Sequence, residues 1–383
     1  MTTALLILGF AALLLAMHPF VSYPCSLLML KALRNGRRPR LEAAHRPLTF
    51  AICMCAYNEE AVIEAKVANL LRLKERHPDL EILIYVDASS DRTAALLQPH
   101  RAVIDLHVAA ERHGKTHGMN LLAARTDADV LVFTDANVVL DMSCIDDLTR
   151  HFADPEAGCV CGNLNYTNGS TSVTASSGTL YWRFEEAVKR LETETGSALC
   201  ADGSIFAIRR ALRRAPPDHI IDDMYVSLMV LVDGYRVVQA RDVRAYEASA
   251  TDVAEEFGRK VRIACQAFNV HRLLWPRLRK LDALTRYKYV SHKLLRWLGI
   301  YFLTLAAGAF IAAAVAAGHT ASALTGIALV LIAAIVGYRW SVKPIAQLVD
   351  LIIAIAGAGV GVWRSVRGER FQTWTPASSV REA

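Results

Sequence analysis

Charged residues are scarce in this chain. Asp, Glu, Lys and Arg make up 21% of 383 residues, and 43 basic against 37 acidic residues leave a formal charge of +6. The excess is modest and gathers beside apolar segments, a distribution that suits a membrane surface rather than nucleic acid. No zinc-finger spacing or aromatic RNA-binding motif is present, which excludes the usual nucleic-acid modules. The cysteine framework of a small secreted domain is missing as well. Eight cysteines include two Cys-x-Cys pairs, Cys53/Cys55 and Cys159/Cys161. Both pairs lie in apolar, strand-like runs, where cysteine packs as a small hydrophobe, so packing is favoured over a metal site, and the missing secreted pattern fits a reducing cytosol. Met1-Thr2-Thr3 carries no positive charge and no small-x-small cleavage site follows. The first apolar run therefore reads as an uncleaved anchor, not a signal peptide.

Apolar residues are what the chain has in plenty: 53% of its length, concentrated at the two ends. Residues 4–23 are nearly long enough to span a bilayer. Lys31, Arg34, Arg37, Arg38 and Arg40 follow and are expected to stay cytoplasmic. This predicts a transmembrane anchor over 1–25 and a cytoplasmic domain over 46–275. Residues 281–297 mix basic and aromatic side chains with leucines, as in a helix lying in the membrane interface. The carboxyl-terminal membrane region, 298–363, holds two spanning candidates at 298–318 and 322–340. Arg339 and Lys343 mark a return to the cytoplasm. A third run, 345–363, contains Asp350 and a cluster of glycines and has basic residues on both flanks. The charge rule does not choose there between a spanning and a re-entrant segment. A tail, 364–383, completes the chain.

Between the membrane segments the pattern alternates strand, loop and helix. Thr49 to Cys55, Glu81 to Val86, Ala102 to Val108 and Val130 to Phe133 read as strands, the last a continuous apolar run of the kind buried on both faces of a sheet. Helices are expected from Ala56 to about Arg76 and after His113-Gly114-Lys115. Such a run predicts a mostly parallel sheet with right-handed crossovers. Ligands of open α/β sheets collect at the carboxyl ends of the strands. Asp87, Asp135 and Asn137 fall there, whereas Asp127 and Asp129 precede their strand and read as a solvated loop. Asp135 has a second reading, as the cap of a following helix. Further on, 168–178 is a Ser/Thr/Gly-rich loop, Asp202-Gly203-Ser204 precedes a short strand, and Asp222-Asp223 opens a helix, where two carboxylates also suit the helix dipole. A basic helix from Glu255 to Leu274 carries Arg259, Lys260 and Arg262.

Five motifs in order, Tyr57-Asn58-Glu59-Glu60, Asp87-Ala88-Ser89-Ser90-Asp91, Gly114-Lys115-x-x-Gly118-x-Asn120, Thr134-Asp135-Ala136-Asn137 and Asp222-Asp223, resemble those of family 2 glycosyltransferases. The similarity is to the membrane-embedded bacterial branch that includes cellulose, hyaluronan and other exopolysaccharide synthases. The resemblance implies an α/β fold, an A-type, Rossmann-like nucleotide-sugar domain flanked by transmembrane helices. It also implies inverting transfer of a hexosyl or N-acetylhexosaminyl group from a nucleoside diphosphate sugar, at the cytoplasmic face of the bacterial inner membrane. By the same resemblance Tyr57, Glu59 and Asp87 contact base and ribose, and Lys115 meets a phosphate. Asp135 and Asn137 hold Mg2+ or Mn2+ on the diphosphate. Asp202, Gly203 and Ser204 form the acceptor-side turn. Asp223, or its neighbour Asp222, is the general base, and Arg259 or Arg262 neutralises phosphate.

Two departures stand out. Asn137 replaces a carboxylate with a neutral, weaker ligand. The processive enzymes' tryptophan is absent beside Arg262, which loosens the expectation of a long polymer. The acceptor is then a glycan or a lipid-linked sugar, with membrane lipids as further partners. A non-catalytic partner that only binds nucleotide-sugar is the reading from another class.

Overall fold

Three of the first four strands are built on continuous apolar runs, the third (Asp-Leu-His-Val) is not, and all four lie parallel. They are β1 (Phe50–Ala56), β2 (Glu81–Val86), β3 (Asp105–Val108) and β4 (Val130–Asp135). The computed structural model describes residues 1–33, 47–167, 173–248, 253–342 and 344–373. Arg34, Arg37, Arg38, Arg40, Lys343, the 168–172 part of the expected Ser/Thr/Gly loop and the tail from 374 onward lie outside the described residues.

Alternation splits β1 between two cores. Ala51, Cys53 and Cys55 face one apolar cluster, and Phe50, Ile52, Met54 and Ala56 face the other. Cys159 and Cys161 join Cys53 and Cys55 in the first cluster, all four buried. Burial pushes the Cys53 thiol up to about 12, as expected of a packing residue. Among the described residues no His, Cys, Asp and Glu side chains group in a way that could hold a metal by themselves.

The chain continues through β5 (Val139–Leu140), β6 (Ala157–Tyr166), β7 (Ile205–Arg209) and β8 (Arg236–Glu247). The eight strands form one sheet in the order β3-β2-β1-β4-β7-β6-β8-β5. The parallel expectation holds for the first half. In the second, β7 enters antiparallel between β4 and β6. That reversal matters, because Ile205 pairs with Thr134. The start of β7 therefore meets the end of β4, and the 202–204 turn arrives beside Asp135. Register aligns the other strand ends too: Cys55 lies between Tyr85 and Asp135. The chain thus leaves β1, β2 and β4 on one rim.

Helix Ile63–Arg76 starts later than the expected Ala56, and residues 57–60 stay in a loop in which Asn58 has φ 51°. Helix Lys115–Ala123 packs on the opposite face through Gly118, where an added Cβ would strike Tyr85 and Cys55. Gly118 thus serves helix–sheet contact.

The amino-terminal helix covers Thr2–Met17 and is followed, after a bend of 60°, by Ser22–Leu33. The helix expected over 4–23 therefore breaks near its end. Its Gly9 face meets helix Gly299–Ala316, with Phe10 and Phe310 edge to face at 5.1 Å. Among the described residues three helices are long and apolar enough to cross a bilayer, Gly299–Ala316, Thr320–Arg339 and Ile345–Val366, and the bent pair Thr2–Met17 and Ser22–Leu33 makes a fourth if it counts as one span. The third runs without interruption through its glycines. Gly357 and Gly361 are contact points for Phe257, Lys260 and Ala264 of helix Val253–Leu278, so its carboxyl end rests on the soluble domain.

Residues 281–297 also differ from expectation. Lys288, His292 and Arg296 are buried, not turned to a lipid surface. Each finds partners on or next to helix Val173–Glu194: Lys288 donates to the Glu192 and Ser197 carbonyls, and His292 and Arg296 meet Glu185. A buried cation is tolerated only with such partners, and the protein interior supplied them first.

Candidate active site

The rim is organised by the short loop 113–115. Gly114 takes φ +93°, a conformation that favours glycine, and points its N–H at Asp87. Asp87 is fully buried and accepts from the His113 N–H at 2.7 Å and the Gly114 N–H at 3.1 Å, with Arg112 Nε 3.7 Å away. Its carboxylate is thus engaged in shaping this loop. Lys115 begins the next helix and reaches across to Asp135, Nζ to Oδ1 2.6 Å.

The same helix is stitched to the segment before Asp222. Thr116 donates to the Ile220 carbonyl at 2.7 Å, and Asn120 donates to the Pro216 carbonyl at 2.8 Å. These bonds bring the Asp222–Val232 helix start against Lys115. A Cβ built on Gly203 would lie 3.0 Å from Lys115 Nζ, 3.4 Å from Asp223 Oδ2 and 3.9 Å from Asp135 Oδ2. Lys115, Asp135, Asp223 and the Gly203 backbone therefore surround one small space.

The electrostatics follow from that crowding. Burial raises the Asp223 carboxyl, the Asp222 charge raises it further, and Lys115 offsets only part, leaving it pushed up to about 7. Burial opposes the Lys115 charge, yet Asp135 and Asp222 hold its ammonium well above the usual lysine range. Arg262 is held below the usual arginine range by burial and by Arg259 beside it, with Asp135 and Asp223 pulling the other way. Both arginines thus belong to this neighbourhood. Asp222 is nearly inaccessible, and its Oδ2 has no hydrogen-bond partner among the described residues.

The remaining expected residues are placed as follows. Tyr57 lies under the Arg112 guanidinium, 3.5 Å from ring centroid to Cζ. Glu59 is buried, and its carbonyl accepts from Val62 and Ile63 at the start of the next helix. Asn137 donates from Nδ2 to Glu247 Oε1 at 2.8 Å. Asp135 is not a helix cap, since β5 follows it. Asp127 is exposed, as the solvated reading requires, whereas Asp129 is half-buried and accepts from the Thr49 N–H and hydroxyl, away from the rim.

Three contributors had no signal in the sequence. Lys66, buried in helix Ile63–Arg76, donates to Thr134 Oγ1 and the Val138 carbonyl beneath the Asp135 turn, and burial lowers its ammonium to about 7. Arg112 comes from an irregular loop. Gln372, after the last helix, donates to the His113 carbonyl, and its own carbonyl would collide with any Cβ at Gly114.

A sheet with carboxylates at its parallel strand ends and a lysine-headed helix facing them has the layout of an A-type nucleotide-sugar transferase domain. The family described as "Glycosyl transferase family 2" matches residues 51–214, and the chain carries a domain of that family. Poly-beta-1,6-N-acetyl-D-glucosamine synthase of Staphylococcus epidermidis is 23% identical over 197 residues, 48% of this chain and 46% of that protein. An N-acetylglucosaminyltransferase of Rhizobium meliloti is 22% identical over 270 residues, 65% and 63% of the two chains. The match thus spans about half the length of the first relative and under two thirds of the second. The mannosyltransferase PcManGT of Pyrobaculum calidifontis, solved with GDP-Man and Mn2+, shares the fold with a TM-score of 0.72 at 20% identity, covering 95% of this chain and 99% of that one.

Proposed function

We propose that this protein is a membrane-bound inverting glycosyltransferase that moves a sugar from a nucleoside diphosphate donor to a surface glycan or lipid-linked acceptor at the cytoplasmic face. The observation that carries the reading is the single space shared by Lys115, Asp135, Asp223 and Gly203. In the reaction an acceptor hydroxyl oxygen attacks the anomeric carbon, the bond from that carbon to the diphosphate oxygen breaks, and Asp223 takes the hydroxyl proton. A carboxyl near 7 is suited to that task, being about half ionised at neutral pH and basic enough to accept a proton. Lys115, Arg259 and Arg262 neutralise the departing diphosphate. Tyr57 and Arg112 offer a face and a cation to the base, and Asp87 acts on the donor by fixing the 113–115 loop.

Asp135 and the Asn137 amide oxygen would hold Mg2+ or Mn2+. Their fit rests on the donor set: one carboxylate at the open space and one neutral oxygen, both hard, which suits an ion that keeps phosphate and water ligands. Such an ion supplies positive charge to the diphosphate. The two relatives named for N-acetylglucosamine chemistry make UDP-N-acetylglucosamine the first donor to try, and the GDP-Man bound to PcManGT makes GDP-mannose the second.

The test is a donor screen on the full chain in detergent with Mn2+, reading released nucleotide with and without acceptor. Solvent-extractable glycolipid would mark a lipid acceptor, and ethanol-insoluble product a glycan chain. Release from no donor, together with no UDP or GDP binding, would overturn the proposal.

A further inference from the structure

The acceptor-side turn is held by a buried lysine from another element. Lys189 lies on helix Val173–Glu194, is 3% exposed, and places Nζ 3.0 Å from Asp202 Oδ2. The other Asp202 oxygen accepts from the Ser204 hydroxyl at 2.8 Å and from the Ser204 N–H at 3.3 Å. Gly203, between these two residues, is the backbone that borders Lys115 and Asp223. A chain of contacts therefore runs from Lys189 through Asp202 to the wall of the reaction space.

Lys189 itself has little freedom. Glu185 and Glu192, four residues before and three after it, project from the same helix stripe. His292 lies between them, 3.0 Å from Glu185 and 2.7 Å from Glu192, and Tyr23 donates to Glu192 at 2.5 Å. Lys293 and Arg296 also meet Glu185. The helix is thus clamped on both sides of Lys189 by the membrane-proximal segments. Glu186, one turn earlier, accepts at Oε2 from Gln239 Nε2, and burial first, then the Asp202 charge, push its carboxyl up to about 7 against the opposing Lys189 charge. Asp202 is the carboxylate that Lys189 bonds, and burying an ammonium is costly unless such a partner is fixed opposite it. An apolar side chain of equal length would fill the same space without that cost, so the charge here serves the turn.

We propose that Lys189 is a positioning residue that sets the Asp202-Gly203-Ser204 turn so that an acceptor hydroxyl, rather than water, meets the donor beside Asp223. The inference rests on the glycosyltransfer reading and deepens its acceptor side. Lys189 bonds Asp202, whereas the donor side is assigned to Lys115 and Asp135, so loss of Lys189 is expected to divide the two functions. Water needs no turn to orient it, whereas a sugar hydroxyl does.

The experiment uses the full chain in detergent with Mn2+, UDP-N-acetylglucosamine and a β-1,6-linked N-acetylglucosamine trimer as probe acceptor. It measures transfer to the trimer and donor hydrolysis to water separately, alongside UDP affinity. For Lys189→Met the ratio of transfer to hydrolysis falls by about 10- to 100-fold while UDP affinity and hydrolysis stay within about twofold, the pattern of a misplaced acceptor. Lys189→Arg, which keeps the charge, recovers much of the ratio. An unchanged ratio in Lys189→Met would overturn the proposal, as would a parallel fall of hydrolysis, transfer and UDP binding. If Lys189→Met does not fold, Asp202→Asn breaks the same pair with little change of volume, and an unchanged ratio there is equally fatal. A wild-type chain that neither binds UDP nor turns over donor removes the glycosyltransfer reading itself, whereas an active wild type with an indifferent Lys189→Met removes Lys189 alone.

Discussion

Lys115 Nζ lies 2.6 Å from Asp135 Oδ1, and the same ammonium is drawn upward in pKa by Asp222 and Asp223. This ammonium thus lies among three carboxylates contributed by the end of β4 and the start of another helix. Under the proposed reaction it is also one of the cations that neutralise the departing diphosphate. Lys115→Met is expected to lower donor turnover by on the order of 10²- to 10³-fold, the usual loss when one transition-state donor is removed. Released nucleotide measured at saturating donor checks this, with circular dichroism to confirm an intact fold. A loss smaller than threefold would place Lys115 outside the chemistry.

The pH dependence separates the two adjacent aspartates. Asp223 must be ionised to accept a proton, so activity is expected to rise with pH through about 7 and to fall below it. Burial is the first cause of the raised value and the Asp222 charge the second. Asp222→Asn removes that like charge, which favours the Asp223 carboxylate and moves the acid limb below 7 while activity persists. Asp223→Asn should abolish the limb together with about 10²- to 10⁴-fold of the rate, the range for loss of a general base. Rate profiles from pH 5 to 9 for the three proteins decide the matter. An Asp222→Asn enzyme that is dead and an Asp223→Asn enzyme that is active would reverse the assignment.

Much of this site is legible in the sequence, and the reasons are local. A buried strand announces itself by an apolar run, and a parallel sheet collects strand ends on one rim, so Asp87 and Asp135 were placed by pattern alone. The antiparallel insertion of β7 was not readable. Its five residues, Ile205–Arg209, look like any short apolar strand, and only pairing with β4 reveals that Gly203 borders the reacting groups. Lys66 and Lys189 were missed for a different reason. A lysine on an amphipathic helix reads as solvated, and nothing in its neighbours shows that a carboxylate or carbonyl from a distant turn waits inside. The basic residues of 281–297 misled in the same way, since composition fits a lipid surface and an internal carboxylate cluster equally well. Asp87 was located correctly, but its bonds to the His113 and Gly114 N–H groups arise from a loop whose shape the sequence does not announce.

Gly203→Ala tests the size of the space directly. The added methyl would sit 3.0 Å from Lys115 Nζ and 3.4 Å from Asp223 Oδ2, both far ends of side chains and not fixed backbone. The fold can absorb such a contact by shifting the lysine, so a stability loss of about 1 kcal/mol or less is expected. The reacting groups cannot shift without losing alignment, and transfer should fall by about 10- to 100-fold. Thermal unfolding and transfer rate on one preparation give both quantities. A large drop in melting temperature with normal transfer in the folded fraction would contradict the proposed place of Gly203.

Asn137 invites an obvious change, since a carboxylate is the stronger ligand for Mg2+ or Mn2+. The structure argues that Asn137→Asp alone will disappoint. The Asn137 amide donates to Glu247 Oε1 at 2.8 Å, and a carboxylate in its place would face another carboxylate at that distance. Like charges so close are unfavourable, so one of them must take up a proton or move away, and the gain in metal affinity is spent. Combining Asn137→Asp with Glu247→Gln restores a donor opposite the new acid and should tighten Mn2+ binding by about tenfold, the order of effect of a well-made outer-shell hydrogen bond. Titration of Mn2+ against the UDP-bound protein compares the four combinations. A single Asn137→Asp that binds as tightly as the double variant would mean that Glu247 does not restrain residue 137, and that the amide is there for some purpose other than this hydrogen bond.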